Sequence, residues 1–355
     1  MECDRIANLI RQQCTECGAC VKHCAFLRRH GTPKAIAAGQ RVLAYACSLC
    51  GLCAAVCPEG LDPCRLFRTI RCRHAAEGGL DCRPYRGLLL YERLGCSSLL
   101  AWSGIPPGCD TVFFPGCALP GTRPEATVSI LARLRRILPS VGMVLACCAK
   151  PSHDLGRLDF CKTRLGKTFE LLRQHGIRTV LTACPSCTGM LRQYGEGLVV
   201  RTVWEELHAA GTGTPAPAVA AEICIHDPCS LRHDRPFQAA VRGLLADLGY
   251  RIVPMAHQDS RTVCCGEGGA VGCIDPGLAG QWTSLRTQAA AGRLLVAACC
   301  GCTSTLNRFT PTVHLADLLF RPEAGLRGAL DIAQPPFTYW NRLRLKGRLR
   351  RMLQR

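Results

Sequence analysis

The sequence predicts a multi-domain protein: a small helical, cysteine-rich unit at the N-terminus, then two α/β units related by internal duplication. Three observations predict it. Two four-cysteine runs, Cys14-Thr-Glu-Cys17-Gly-Ala-Cys20-Val-Lys-His-Cys24 and Cys47-Ser-Leu-Cys50-Gly-Leu-Cys53-Ala-Ala-Val-Cys57, fall within the first 57 residues. A five-cysteine set then occurs twice, as Cys117, Cys147, Cys148, Cys184 and Cys187, and as Cys229, Cys264, Cys265, Cys299 and Cys302. Three matched landmarks are offset by 112, 117 and 115 residues (117 to 229, 147 to 264, 184 to 299), the mark of a repeat of about 115 residues. In both copies short apolar runs of β character alternate with helix-forming segments, which argues a mostly parallel sheet covered by helices.

With 355 residues, two or three domains with cores of their own are expected. The opening Met1-Glu2-Cys3-Asp4 lacks the basic-then-apolar pattern of a signal peptide. A reducing cytoplasm is therefore expected, where 28 cysteines serve metal centres rather than disulfides. No apolar run approaches the roughly 18 residues of a membrane span, so a peripheral place on the cytoplasmic face of the inner membrane is the most that is expected. The formal charge of +18 assumes neutral cysteines. Thiolates held in metal clusters lower it, and neither a nucleic-acid motif nor stacking aromatics accompany it, so no nucleic-acid partner is expected.

In the first unit, residues 1–75, both four-cysteine runs match the bacterial ferredoxin pattern. Three closely spaced thiolates wrap one [4Fe-4S] cubane while the fourth reaches the other. The expected ligands are Cys14, Cys17, Cys20 and Cys57 for one cluster, and Cys47, Cys50, Cys53 and Cys24 for the second. Gly18 and Gly51 allow close backbone approach, and Pro58 turns the chain away. Ala25 stands where a proline usually follows the fourth cysteine. Two zinc knuckles would need each quartet closed locally. Residues 30–45 are helix-forming. Residues 76–110 read as a connector, after a basic helix at 65–74, and Cys64, Cys72, Cys82, Cys96 and Cys109 lack ligand spacing and are expected to be ordinary small side chains.

The first α/β unit spans 111–210: strand-like runs at 111–114, 141–145 and 179–182 deliver Cys117, the pair Cys147-Cys148, and Cys184. A linker is expected at 211–220. In the second unit, 221–325, runs at 222–226, 250–254 and 294–297 precede Cys229, Cys264-Cys265 and Cys299. Ligands at the carboxyl ends of parallel strands suit this architecture. The run Cys299-Cys300-Gly301-Cys302 leaves the choice between Cys299 and Cys300 open. The basic tail, 326–355, reads as an amphipathic or surface helix for a partner or an anionic membrane.

Adjacent cysteines do not easily turn onto one small tetrahedral ion, and five thiolates exceed the four ligands of a structural zinc site. A polynuclear iron–sulfur centre fits better. Single Cys, then Cys-Cys(-Gly), then Cys-x-x-Cys at these intervals resembles the cysteine-rich CCG domain of the heterodisulfide reductase family, found also in the iron–sulfur subunits of anaerobic glycerol-3-phosphate dehydrogenase and glycolate oxidase. The N-terminal unit resembles the helical dicluster domain fused to such subunits. The resemblance implies a helical 2[4Fe-4S] ferredoxin domain before two α/β CCG domains, with one or two further iron–sulfur clusters, cubane or non-cubane, in the latter.

It also implies an iron–sulfur oxidoreductase that passes electrons through two cubanes to centres acting on a disulfide or thiol substrate. The alternative is a non-catalytic relay between a flavin dehydrogenase and the quinone pool. No Gly-x-Gly-x-x-Gly fingerprint is present. The expected partners are accordingly other redox subunits: a flavoprotein, a membrane cytochrome or a quinone-reactive subunit. The second copy is expected to react, through Cys229, Cys264, Cys265, Cys299 and Cys302 with His226, because it keeps Gly266 after the cysteine pair and has His226 and His233 about Cys229. The first copy, Cys117, Cys147, Cys148, Cys184 and Cys187, has Ala149 there and suits a rigid relay. His226, His153, Lys150 and Glu267 either carry protons or only hydrogen-bond their surroundings.

Overall fold

The computed structural model describes residues 2–37, 42–211, 221–328, 330 and 332–353. The linker expected at 211–220 lies, apart from Gly211, outside the described residues. Up to residue 101 the described elements are all helical, chief among them Glu2–Gln13, Ala25–His30, Pro63–Ala76 and Arg86–Gly95. Asp62 starts the third of these by accepting the Arg65 N–H at 2.9 Å, with Pro63 in the first position, where its missing N–H costs nothing. Ile6, Ile10, Phe26, Leu27, Leu66 and Phe67 bury their side chains together, and Val263, Leu278 and Trp282 from far along the chain complete that core. The N-terminal segment therefore packs on the segment that carries the second cysteine set.

Nine strands form two sheets among the described residues. In chain order they are β1 (Trp102–Gly104), β2 (Thr111–Phe114), β3 (Gly142–Leu145), β4 (Thr179–Thr182), β5 (Val199–Thr202), β6 (Glu222–His226), β7 (Arg251–Ile252), β8 (Leu294–Ala297) and β9 (Thr312–His314). The first sheet has the order β1-β3-β2-β4-β5, the second β7-β6-β8-β9. All neighbours run parallel except β1 against β3. Strands buried on both faces, such as Gly142–Leu145, are almost wholly apolar, as parallel strands under helices must be. The strand order reverses between β2 and β4 and again between β6 and β8, which opens a crevice at their carboxyl ends.

Two elements add to the sequence expectations. The stretch read as a connector contributes β1, so the first sheet begins before residue 111: Trp102 pairs with Leu145 and Gly104 with Met143. The basic tail forms the helix Phe337–Leu353, which buries Thr338, Arg342, Leu345 and Leu349 against its own chain. Its period places these stems on one face, and only Phe337 and Trp340 stand out as its large exposed apolar residues. The sheets share a core in which Leu131, Leu134 and Trp204 meet Ile225, Leu244 and Val313. Across it the buried Arg123 guanidinium pairs with Asp317 at 2.9 Å.

Arg71 ties the whole together. Its fully buried guanidinium donates to the carbonyls of Ala44, Tyr45 and Cys47 in the N-terminal segment, of Asp154 after the first cysteine pair (2.7 Å) and of Gly269 after the second (3.0 Å). Replacing Arg71 by methionine strands several buried carbonyls and is expected to cost about 3 kcal/mol or more in denaturant unfolding. Lysine, with three donors, should recover part of the loss.

The residues after the two cysteine pairs form a second comparison. Gly266 has φ +104°, and a Cβ there would collide with Thr283 Oγ1 and crowd the Ala279 carbonyl. Ala149 occupies the matching place with φ +55°, left-handed despite its Cβ. Ala149→Gly is expected to raise stability by about 0.5–1 kcal/mol, the left-handed penalty exceeding the added chain entropy. Gly266→Ala should lower it by more than about 1 kcal/mol. Melting temperatures of the two variants check the opposite signs.

Candidate metal centres

The two N-terminal runs interlock. Cys14, Cys17, Cys20 and Cys57 line one small cavity, together with Gly18 and Pro58. Cys24, Cys47, Cys50 and Cys53 instead gather in the neighbouring core with Cys64. Gly18 and Gly51 both take positive φ, +76° and +75°, so the turns that wrap each set need a residue without a Cβ. Ala25, in the usual proline position, opens the short helix after Cys24 and is buried. Burial pushes the thiols of Cys24 and Cys64 up to about 12.

Parallel strands deliver the five-cysteine sets. Cys117 and Cys184 follow β2 and β4, Cys229 and Cys299 follow β6 and β8, so each set straddles its sheet's crevice. In the first set the Cys117 thiol lies against that of Cys147, and the Cys187 thiol against those of Cys148 and Cys184. A Cβ on Gly116 would come within 2.8 Å of Cys187 Sγ, which explains a glycine at φ +80° before Cys117. In the second set the Cys229 thiol lies against that of Cys264, Cys264 against Cys265, and Cys302 against both Cys265 and Cys299. Cys300 turns away from the sulfurs and accepts from Thr122 Oγ1 at 3.8 Å, leaving Cys299 and Cys302 as the pair that faces inward.

The sets are not isolated from one another. The thiol of Cys184 in the first lies against that of Cys299 in the second, and Cys50 of the N-terminal segment is a close electrostatic neighbour of Cys229 and Cys264. The Arg232 guanidinium stitches that junction, donating twice to the Cys50 carbonyl (2.6 and 3.1 Å) and to the carbonyls of Ser260 and Thr262. Sulfur thus neighbours sulfur from the second four-cysteine run through the second five-cysteine set to the first.

Polar groups line this row. Lys150 pairs with Asp154, whose carboxyl is held below its usual range: burial opposes ionisation, and the charges of Lys150 and His153 outweigh it. Glu267 lies beside Gly301, where a Cβ would collide with its carboxylate. Its side chain is exposed, yet desolvation of the carboxyl by the protein around it, then the charge of Cys184, raises it to about 7. His226 is buried, and burial with the nearby Arg286 charge lowers it to about 3, so the imidazole is neutral. His153 is buried against Asp154 and Tyr194. His233 faces solvent rather than Cys229.

Sequence spacing missed two neighbours. Cys96 lies against Cys147 and lines, with Trp102, Arg164, Lys167 and Thr168, a cavity of about 270 Å³ that reaches Cys147. Cys64 lies among the sulfurs of the second run. Both are single cysteines brought in by packing, and no local motif marks them. Arg342 was equally hidden: it comes from the tail and sets its charge beside Cys117.

These donors fit iron–sulfur clusters. All 28 cysteines are free, and most of the clustered thiols resist ionisation through burial and mutual repulsion. Bringing so many together without cations is costly, whereas metal ions turn the same groups into favourable thiolate ligands.

A family model described as a 4Fe-4S dicluster domain matches residues 11–61, and one described as a cysteine-rich domain, CCG, matches twice, at 111–192 and 223–307. The B subunit of fumarate reductase (CoM/CoB) from Methanothermobacter marburgensis is 27% identical over 304 residues, covering 75% of this chain and 60% of that protein. The D subunit of dihydromethanophenazine:CoB–CoM heterodisulfide reductase from Methanosarcina barkeri is 24% identical over 338 residues, covering 75% and 80%. EtfAB:quinone oxidoreductase of Syntrophomonas wolfei is 22% identical over 269 residues, covering 72% of this chain and 36% of its own length. The chain thus spans well under the full length of two of these relatives. It belongs with the proteins that join a 4Fe-4S dicluster domain to cysteine-rich CCG domains, as a homologue of the heterodisulfide reductase D subunit and the fumarate reductase (CoM/CoB) B subunit.

Proposed function

We propose that this chain is an iron–sulfur oxidoreductase subunit that carries electrons through two [4Fe-4S] clusters, over residues 1–75, to centres held by two CCG domains, over 111–210 and 221–325. There a disulfide or thiol substrate reacts. The observation that carries this reading is the unbroken row of sulfurs, from Cys50 beside Cys229 and Cys264 to Cys299 on Cys184. The equal strand order about β2 and β6 supports descent of the two domains from one duplicated unit.

When bound, the clusters supply one-electron carriers and iron sites with affinity for sulfur. The protein does the rest. Cleaving R–S–S–R′ consumes two electrons, delivered along the row, and two protons, and yields RSH and R′SH. Glu267, at the junction of the two sets, is placed to hand a proton to a leaving thiolate, and Lys150 adds positive charge near Cys148 and Cys229. Arg232 holds the ferredoxin loop carbonyl of Cys50 against the second set, and so keeps the transfer distance short. The second set, Cys229, Cys264, Cys265, Cys299 and Cys302, stands first in line from the ferredoxin clusters and is the proposed reactive centre.

A relay reading draws on the likeness to an EtfAB:quinone oxidoreductase: the same row would carry electrons from a flavoprotein to a quinone-reactive partner. Among the described residues no helix is long and apolar enough to cross a membrane, so in either case contact with quinone is proposed to run through a partner subunit, at the cytoplasmic face.

Two experiments test this. Cys57→Ser is expected to perturb the cluster of Cys14, Cys17 and Cys20 in electron paramagnetic resonance; an effect confined to the other cluster would reverse the crossed ligand assignment. Cys265→Ser is expected to lower turnover with disulfides or quinone-coupled donors by on the order of 100-fold or more, the scale of a lost metal contact, while Cys148→Ser retains a measurable rate. The opposite ranking, with iron content checked in both, would move the reactive centre to the first set.

A further inference from the structure

The last residue of β6 is a histidine where the last residue of β2, at the corresponding place before the single cysteine, is Phe114. His226 is 1% exposed, and neither Nδ1 nor Nε2 has a hydrogen-bond partner among the described residues. A buried polar atom left so carries the cost of its lost hydration with nothing to offset it, and here one ring carries two of them. The neighbouring groups do not relieve it. Asp227 spends its carboxylate on Arg242 (2.9 Å to each oxygen) and on the Asp259 N–H (2.8 Å). Arg286, fully buried beside it, commits its Nη1 to the carbonyls of Ala256 and His257, and its Nε and Nη2 make no hydrogen bond to the ring or to any other described residue. What faces the imidazole is sulfur. A ring nitrogen of His226 and the Sγ atoms of Cys265 and Cys302 lie within 4.8 Å of one another, all three residues buried.

We propose that His226 is a nitrogen ligand of the metal centre at the second five-cysteine set, beside Cys265 and Cys302. Imidazole and thiolate together suit iron, and one ring nitrogen would bind the metal while the other kept its proton as an N–H donor. That would give a partner to one of the two orphaned nitrogens. The second centre would differ from the first by this ligand, since Phe114 offers no lone pair. The inference rests on the reading that the second set holds a metal centre, and it assigns His226 a bond to metal in place of the proton-carrying role expected for it.

The test is pulsed electron paramagnetic resonance on the intact, anaerobically reconstituted chain carrying ¹⁵N-histidine, with iron and sulfide measured on the same samples. The wild type is expected to show a strong coupling from a directly bound histidine nitrogen that changes with the isotope. His226→Phe, which installs the side chain the first copy folds around, and His226→Asn should both lose it. No histidine coupling in wild type, a coupling only as weak as a hydrogen bond gives, or one that persists in both variants would overturn the ligand assignment while leaving the iron–sulfur reading intact. If Cys265→Ser and Cys302→Ser leave iron per chain unchanged, the second set holds no metal and both readings fall.

Discussion

The structure depends on a single buried cation. Arg71 comes from the helix after the four-cysteine runs, and its N–H donors are spent on carbonyls from three distant stretches: 44–47, Asp154 and Gly269. Asp154 and Gly269 each follow one of the cysteine pairs by a few residues, so one guanidinium sets the position of both pairs relative to the ferredoxin-type loops. A guanidinium suits this because it presents donors in a rigid plane and loses less to dehydration than an ammonium. Its acceptors are neutral carbonyls, so the positive charge is available to offset the negative charge of thiolate-bound clusters.

Arg232 repeats the device at closer range, with the Cys50 carbonyl as its main acceptor. The Arg123–Asp317 pair repeats it on the far side of the molecule, between the two sheets. These contacts matter because electron transfer asks for fixed, short spacing between carriers, and the cysteine loops have little rigid structure of their own. The sheets supply the rest. Parallel strands end their carboxyl termini in one crevice. A cysteine placed just after two of them, with a pair after the third, converges on one volume, and the left-handed backbone this takes falls at turn residues such as Gly116, Ala149 and Gly266.

The tail shows how the same sequence pattern supports different outcomes. Basic residues spaced with leucines suit a lipid surface, a partner or the protein's own flank, and charge and period are the same in each case. Leu345 and Leu349, buried against the first sheet's helices, and Arg342, enclosed near Cys117, hold one face of the helix on the chain itself, and Phe337 and Trp340 stay exposed.

The alternation of strand and helix, the ligand groups at strand ends, the crossed gathering of Cys57 with Cys14, Cys17 and Cys20, and the glycine turns at 18 and 51 were all legible in the sequence, because each rests on spacing along a few tens of residues. The sequence by itself also determined that five thiols would gather twice. It did not determine how the two sets face each other, that Cys299 rather than Cys300 turns inward, that Cys96 and Cys64 join sulfurs of other segments, or that His226 looks at Cys265 and Cys302. Those follow from which helix faces pack and from where a buried guanidinium finds enough acceptors. Many such contacts join residues far apart in the chain, and no local periodicity records them.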